Sequence, residues 1–176
     1  MEHSPPILGF AAWSGTGKTT LLVQLIPLLR ERGIRIAVIK HAHHSFDVDQ
    51  PGKDSHALRK AGAEQMLIAS TQRFALMMEQ PEPREPDLWA LIGRLDASRT
   101  DLILVEGFKA EAFPKLELFR PSLGKPARYP RDPDIIAVAT DEPASLQTDL
   151  PVLPLNDVTG IRDFILGWMR REGAVG

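Results

Sequence analysis

Residues 7–19 read ILGFAAWSGTGKT, from Ile7 to Thr19, and this stretch decides the fold. Ile7 to Trp13 is apolar on both parities, which is the form of a strand covered on both faces. Gly15 and Gly17 stop it, and Leu21, Leu22, Leu25, Leu28 and Leu29 follow at helical spacing. Between strand and helix, Ala12-Trp13-Ser14-Gly15-Thr16-Gly17-Lys18-Thr19 matches the phosphate loop G-x-x-x-x-G-K-[ST], with Ala12 at the leading glycine. Each part has a physical task. The two glycines let backbone N–H groups turn inward around a polyphosphate. The helix start adds its unsatisfied N–H groups and positive dipole end. Lys18 is placed for the β and γ phosphates, and the Thr19 hydroxyl for Mg²⁺. Chance alone produces such a match in roughly one chain in a hundred of this size.

Working outward, the first helix is expected to end at a left-handed cap on Gly33, with Pro27 costing it one backbone bond or bending it. Ile34 to Lys40 reads as a second strand. The polar stretch 41–54, HAHHSFDVDQPGKD, is long enough to be functional or disordered. A short helix over 55–60 ends at Gly62, and 66–70 and 74–78 read as a hairpin around Thr71-Gln72-Arg73. Pro81, Pro83 and Pro86 make 79–86 a stiff connector, too short to separate domains, before a helix over 87–97. Leu102 to Val105 is the most apolar strand and runs into Glu106-Gly107. The alternation in Lys115-Leu116-Glu117-Leu118-Phe119-Arg120 predicts a half-exposed strand, not a central one. Pro121, Pro126, Pro130 and Pro133 then mark a flexible excursion. Ile135 to Ala139 and Val152 to Leu155 read as the last strands, the latter at an edge because of Pro154. A closing helix over 158–171 carries Ile161, Phe164, Ile165, Trp168 and Met169 on one face. The alternation of strands and helices predicts an α/β protein, a three-layer α/β/α arrangement of the P-loop NTPase kind, with a mostly parallel sheet and an antiparallel hairpin or edge extension.

The chain has 176 residues, the length of a single phosphate-loop nucleotide-binding domain over 1–176. With 43% hydrophobic and 25% charged residues it can bury a core, and its net charge of -2 offers no field for a nucleic acid. The absence of cysteine excludes a disulfide scaffold and a thiolate metal site. The start of the chain lacks a signal-peptide pattern and no run reaches about 20 apolar residues, so a cytoplasmic protein with no membrane partner is expected.

Ligands of open parallel sheets bind beyond the carboxyl ends of the strands. The residues there form a coherent set: Ser14, Gly15, Thr16, Gly17, Lys18, Thr19 and Thr20 from the loop, then Lys40, His41, His43, His44, Asp47 and Asp49, Glu106, and finally Thr140, Asp141, Asn156 and Asp157. Glu106, closing an apolar strand, has the form of a carboxylate that orients Mg²⁺ or its water shell. The histidine and aspartate cluster suits a transition metal, but the favoured reading is a switch-like loop that brings Asp47 or Asp49 near Mg²⁺. Phe10, Phe164, Trp168 and Met66 fit core positions. Trp13 fits either the mouth of the site or packing beneath the loop.

FAAWSGTGKTTLL, IKHAHHSFDVDQPGKDSHALRKAGA, ASTQRFALM, DLILVEGFK with PKLELFR, and IIAVATD followed by LNDV together resemble the MobB family of molybdopterin-guanine dinucleotide biosynthesis adaptor proteins. The likeness runs in order from about Leu8 to Met169. The stretch 40–55 and Val105 to Lys109 carry more of its specificity than the phosphate loop, and the family tolerates alanine at position 12. The resemblance implies a GTP-binding protein, homodimeric, working beside the guanylyltransferase that attaches GMP to the molybdopterin cofactor. It implies Gly15, Gly17, Lys18 and Thr19 for phosphates and Mg²⁺, and Asp47, Asp49 and Glu106 on the metal side. Lys109, Lys115 and Arg120 are its candidates for the pterin phosphate or the partner enzyme.

The sequence has no NKxD guanine-reading motif, which leaves Thr140-Asp141 and Asn156-Asp157 as acceptors for guanine, either pair serving. No water-positioning glutamine or arginine finger is evident, and the latter is worth about 10³ to 10⁵ in rate, so hydrolysis is expected to be slow. The rivals are a small-molecule P-loop kinase, which needs an arginine-rich lid absent from this chain, and a nucleotide-dependent metal chaperone built on the histidines. A dimer contact is sought on the LELF strand and the proline-rich segment after it.

Overall fold

A computed structural model describes residues 4–42 and 46–173. Its contacts divide the chain into two compact units, Met1–His41 with Leu88–Gly176, and Ala42–Asp87.

The first unit is built on six strands: β1 (Ile7–Ala12), β2 (Ile36–Lys40), β5 (Leu102–Glu106), β6 (Lys115–Phe119), β7 (Ile135–Thr140) and β8 (Val152–Pro154). β3 and β4 belong to the second unit. The sheet order is β2-β5-β1-β6-β7-β8, and every neighbouring pair is parallel. Parallel strands buried on both faces explain why the sequence is apolar on both parities in β1 and β5. Leu8, Phe10, Leu102, Leu104, Leu116 and Leu118 join Leu21, Leu25 and Leu29 of α1 (Lys18–Arg30) and Ile161, Ile165 and Met169 of α4 (Val158–Arg171) in one core. The alternate residues Ile103, Val105 and Ile39 pack with Leu88 of α3 (Leu88–Ile92), Phe108 and Phe113 on the other face. The three layers are therefore unequal, with two long helices on one side and one short helix on the other.

Local chemistry sets the helix ends. α1 stops where Gly33, at φ 80°, donates its N–H to Arg30 and Ile34 donates to Leu29, the left-handed cap expected from sequence. Pro27 is accommodated inside α1. α4 has the bounds read from the sequence, its start capped by Asp157, whose carboxylate accepts the Gly160 N–H at 2.9 Å. The helix expected over 87–97 ends instead at Ile92. Gly93 is a poor helix former, and Asp96 accepts the Ser98 N–H to start a separate 3₁₀ turn, Ala97–Arg99.

The reading of β6 as half-exposed is overturned. It lies between β1 and β7 with Lys115 and Glu117 fully buried. The alternation is real, but the inward charges are satisfied. Lys115 Nζ sits 3.4 Å from Asp132 and 3.3 Å from Asp134, and over the Phe113 ring at 4.9 Å. Glu117 accepts the backbone N–H groups of Arg128 and Tyr129 at 2.8 and 2.7 Å. These bonds also anchor the proline-punctuated segment that sequence reads as a flexible excursion. With a ladder on each side, β6 offers no open edge to a second copy.

The second unit holds α2 (Asp54–Lys60) and the antiparallel pair β3 (Gln65–Ala69) and β4 (Phe74–Met78), the hairpin expected from sequence. Its turn is tied by Ser70, whose hydroxyl accepts the N–H groups of Gln72 and Arg73. Arg59 on α2 is the electrostatic hub of this unit, bonding Asp47 at 2.6 Å and Glu79 at 2.6 Å, with Asp49 at 3.7 Å. Asp49 also accepts the Ser55 hydroxyl. Among the described residues, no helix is long and apolar enough to cross a membrane.

Candidate phosphate-loop site

The loop between β1 and α1 takes the shape its glycines permit. Gly15 at φ 83° and Gly17 at φ 98° are left-handed, a region that any Cβ would strain. Gly17 is the N-cap of α1 and supplies no side chain, so the first N–H groups of the helix are not covered by a capping group. Thr16 is buried and folds back, its hydroxyl donating to the Trp13 carbonyl at 2.7 Å, which fixes the loop from inside. Ser14, Gly15, Thr19 and Thr20 face solvent.

Lys18 and Glu106 meet at the carboxyl edge of the sheet. Lys18 Nζ lies 3.5 Å from Glu106 Oε1, and Lys40 Nζ lies 3.7 Å from the same oxygen. β5 pairs with β2 in a register that sets Lys40 beside Glu106, so the topology forces this meeting. The turn after Glu106 is held tightly. Gly107 has φ 101°, and a Cβ there would come within 2.5 Å of the His41 Cβ; Phe108 follows at φ 50° with its ring 4.8 Å from the His41 imidazole. This packing fixes the direction in which Glu106 leaves its strand.

A cavity of about 270 Å³ opens beside the loop, lined by Thr16, Gly17, Thr20, Arg120 and Asn156, with Leu21, Gln24, Leu155 and Val158 completing its wall. The four acceptors expected after the last strands fare differently here. The Thr140 hydroxyl accepts the Glu142 N–H, Asp141 pairs with Arg120 at 2.5 Å, and Asp157 caps α4. Asn156 lines the cavity.

Of the three cationic candidates, Lys115 is buried and paired inside the sheet unit. Arg120 donates from Nε to the Thr16 carbonyl at 2.9 Å, so it braces the phosphate loop. Lys109 lies 6.0 Å from the Trp13 ring centroid. Asp47 and Asp49 belong to the second unit, where the Arg59 guanidinium and the Asp49 N–H hold the Asp47 carboxyl below the usual aspartate value. His41 donates its backbone N–H to Glu106, while His43 and His44 lie outside the described residues. Among the described residues, no group of three or more His, Cys, Asp or Glu side chains is arranged to hold a metal.

Two features escaped the sequence. The brace from Arg120 to Thr16 joins residues 104 apart in the chain, a separation no local pattern reveals. The surroundings of Trp13 depend on a loop over 125–128 that carries no motif.

The family model for molybdopterin guanine dinucleotide synthesis protein B matches residues 7–141. The molybdopterin-guanine dinucleotide biosynthesis adapter protein of Escherichia coli (strain K12) is 55% identical over 168 residues, 95% of each chain. That of Haemophilus influenzae is 45% identical, covering 96% of this chain and 92% of its own. Among solved structures, molybdopterin-guanine biosynthesis protein B superposes with a TM-score of 0.71 at 29% identity, over 92% of this chain and 99% of that one. A MobB homolog from Bacillus stearothermophilus gives 0.64 at 25% identity, over 94% and 98%. A phosphate loop at the head of a parallel sheet, with likeness sustained over nearly the whole length, places this chain in the family of molybdopterin guanine dinucleotide synthesis protein B.

Proposed function

We propose that the chain is a GTP-binding adapter in molybdopterin-guanine dinucleotide biosynthesis, serving the guanylyltransferase that joins GMP to the molybdopterin cofactor. The observation that carries the nucleotide part is the glycine cradle on α1 with Lys18 beside it and the cavity alongside. The adapter role comes from the names of the Escherichia coli and Haemophilus influenzae relatives. Gly15, Gly17 and the N–H groups opening α1 take the phosphates, and Lys18 exchanges its Glu106 contact for phosphate oxygens. The donor set also fits Mg²⁺, a hard cation: the Thr19 hydroxyl is exposed, and the Glu106 carboxylate has two ammonium partners that a divalent cation can replace. Bound there, Mg²⁺ would neutralise phosphate charge.

Because Thr140, Asp141 and Asp157 already hold local partners, Asn156 is the residue we assign to the base. Hydrolysis is slow in this reading, below about 1 s⁻¹, since the arginine that touches the phosphate loop is not free to act as a finger. Arg120 is committed to Thr16 and Asp141. The chain acts as a homodimer, and its apolar hairpin, not β6, is where two copies meet. Leu67, Phe74 and Leu76 are 60%, 71% and 48% exposed, and a two-stranded hairpin is marginal by itself.

Calorimetric titration with the Mg²⁺ complexes of GTP and ATP tests the nucleotide reading. GTP should bind more tightly than ATP, Lys18→Ala should abolish binding, and Asn156→Ala should narrow the preference. Equal affinities for the two nucleotides would remove the guanine assignment, and binding unchanged by Lys18→Ala would remove the site.

A further inference from the structure

Trp13 stands at the front of the phosphate loop, half-buried, its indole N–H donating to the Pro126 carbonyl at 2.9 Å. Three cations converge on its ring: the Arg128 guanidinium at 4.8 Å from the centroid, Lys125 at 5.9 Å and Lys109 at 6.0 Å. An indole face attracts one cation readily, but it does not cancel the mutual repulsion of three. Among the described residues, no carboxylate forms an ion pair with Lys109, Lys125 or Arg128. Glu117 acts on Arg128 electrostatically, but its oxygens are occupied by the N–H groups of Arg128 and Tyr129. The Arg128 Nε is buried without a hydrogen-bond partner. Burial, with repulsion from Arg128 and then Lys18, lowers the Lys109 pKa below the ordinary lysine value. The contrast with Lys115 is instructive: that lysine has two aspartates, whereas this group is left with surplus positive charge next to the phosphate loop.

We infer that Trp13, Lys109, Lys125 and Arg128 form a second anion site, adjacent to the phosphate loop but separate from it, that takes the phosphate monoester of another small molecule. A dianionic phosphate supplies the missing counter-charge and offers acceptors to the guanidinium and both ammonium groups. The cations come from two loops, the turn after β5 and the segment over 125–128, and Trp13 is the residue on which both close. The inference is independent of which nucleotide the neighbouring loop accepts.

Phenyl phosphate is the probe, titrated against the whole chain while tryptophan fluorescence is followed, with and without saturating Mg²⁺-GTP. Saturable quenching is expected in both conditions. Arg128→Gln and Lys109→Gln should each weaken binding roughly tenfold, as loss of a charge-assisted bond does, and leave GTP affinity within about twofold. Lys125→Gln, on an exposed side chain, should do less. Absence of saturable binding below about 10 mM would overturn the proposal. So would phenyl phosphate binding lost on adding GTP, together with Arg128→Gln weakening GTP more than GDP, because the cations would then serve the terminal phosphate of the loop's own ligand. Phenyl phosphate binding by a chain that takes no GTP would defeat the nucleotide reading and leave this site standing.

Discussion

β6 and β4 invert the usual relation between composition and burial. Lys115-Leu116-Glu117-Leu118-Phe119 carries two charges and is buried, whereas Phe74-Ala75-Leu76-Met77-Met78 carries none and is mostly exposed. The difference lies in what flanks each strand. β6 has a parallel ladder on both sides, and its charged side chains meet aspartates and backbone N–H groups; β4 has one ladder, to β3, and four of its five residues are exposed. Burial follows from sheet position and local compensation, while apolar composition alone marks a surface that lacks a covering partner.

The contrast between the sheet and the hairpin is largest in what each contributes to stability. Leu104→Ala, at a fully buried position, should cost about 2–5 kcal/mol in urea unfolding, whereas Leu76→Ala at low protein concentration should stay within about 0.5 kcal/mol. Equal costs would mean that the hairpin is as tightly packed as the sheet. Next comes the compensated lysine. Lys115→Ala should destabilise by about 3 kcal/mol, the lower end for breaking a buried pair, because Asp132 and Asp134 keep 21% and 34% exposure and can rehydrate. Lys115→Met combined with Asp132→Asn and Asp134→Asn should recover most of that loss. If the triple variant is no better than the single one, the aspartates do not act as its counter-charge.

A smaller effect separates the two charges of β6. Burial raises the Glu117 pKa above its ordinary 4.5, against the lowering by the Arg128 and Tyr129 N–H groups. The folded state therefore holds the proton more tightly than the unfolded one. The stability it contributes is complete below pH 4.5 and is lost as pH rises through the folded value. Unfolding measured from pH 4 to 7 should show Glu117→Gln gaining on the native chain as pH increases; a constant gap would mean an unshifted carboxyl. Least energetic is the hairpin surface. Phe74→Ser with Leu76→Ser should leave monomer stability within about 0.5 kcal/mol, yet halve the mass seen by sedimentation at high concentration. An unchanged mass would place the dimer contact elsewhere.

Much of this was legible in the chain because period and punctuation are local. Ile7 to Thr19 announced strand, loop and helix, Gly33 marked its cap, and α4 was bounded at both ends. β6 departs from its pattern because its solvent-like alternation is answered by Asp132, Asp134, Arg128 and Tyr129, none of them on a neighbouring strand. Within the site, Lys18 and Glu106 could be named from motifs. The Arg120 brace and the cations about Trp13 depend on distant loops meeting.

The strand order also governs how the protein comes off the ribosome. Ile7 pairs with Ile103, Gly9 with Lys115, and Ile36 with Leu102, so no ladder of the six-stranded sheet can close until residue 102 has been made. The β3–β4 ladder, by contrast, is complete at residue 78. At about 5–20 residues per second, β1 and α1 wait several seconds with their apolar faces uncovered, and the nascent phosphate loop has neither Glu106 nor Arg120 to hold it. Until then the first half of this chain carries uncovered apolar surface, the condition that makes a nascent chain prone to aggregation.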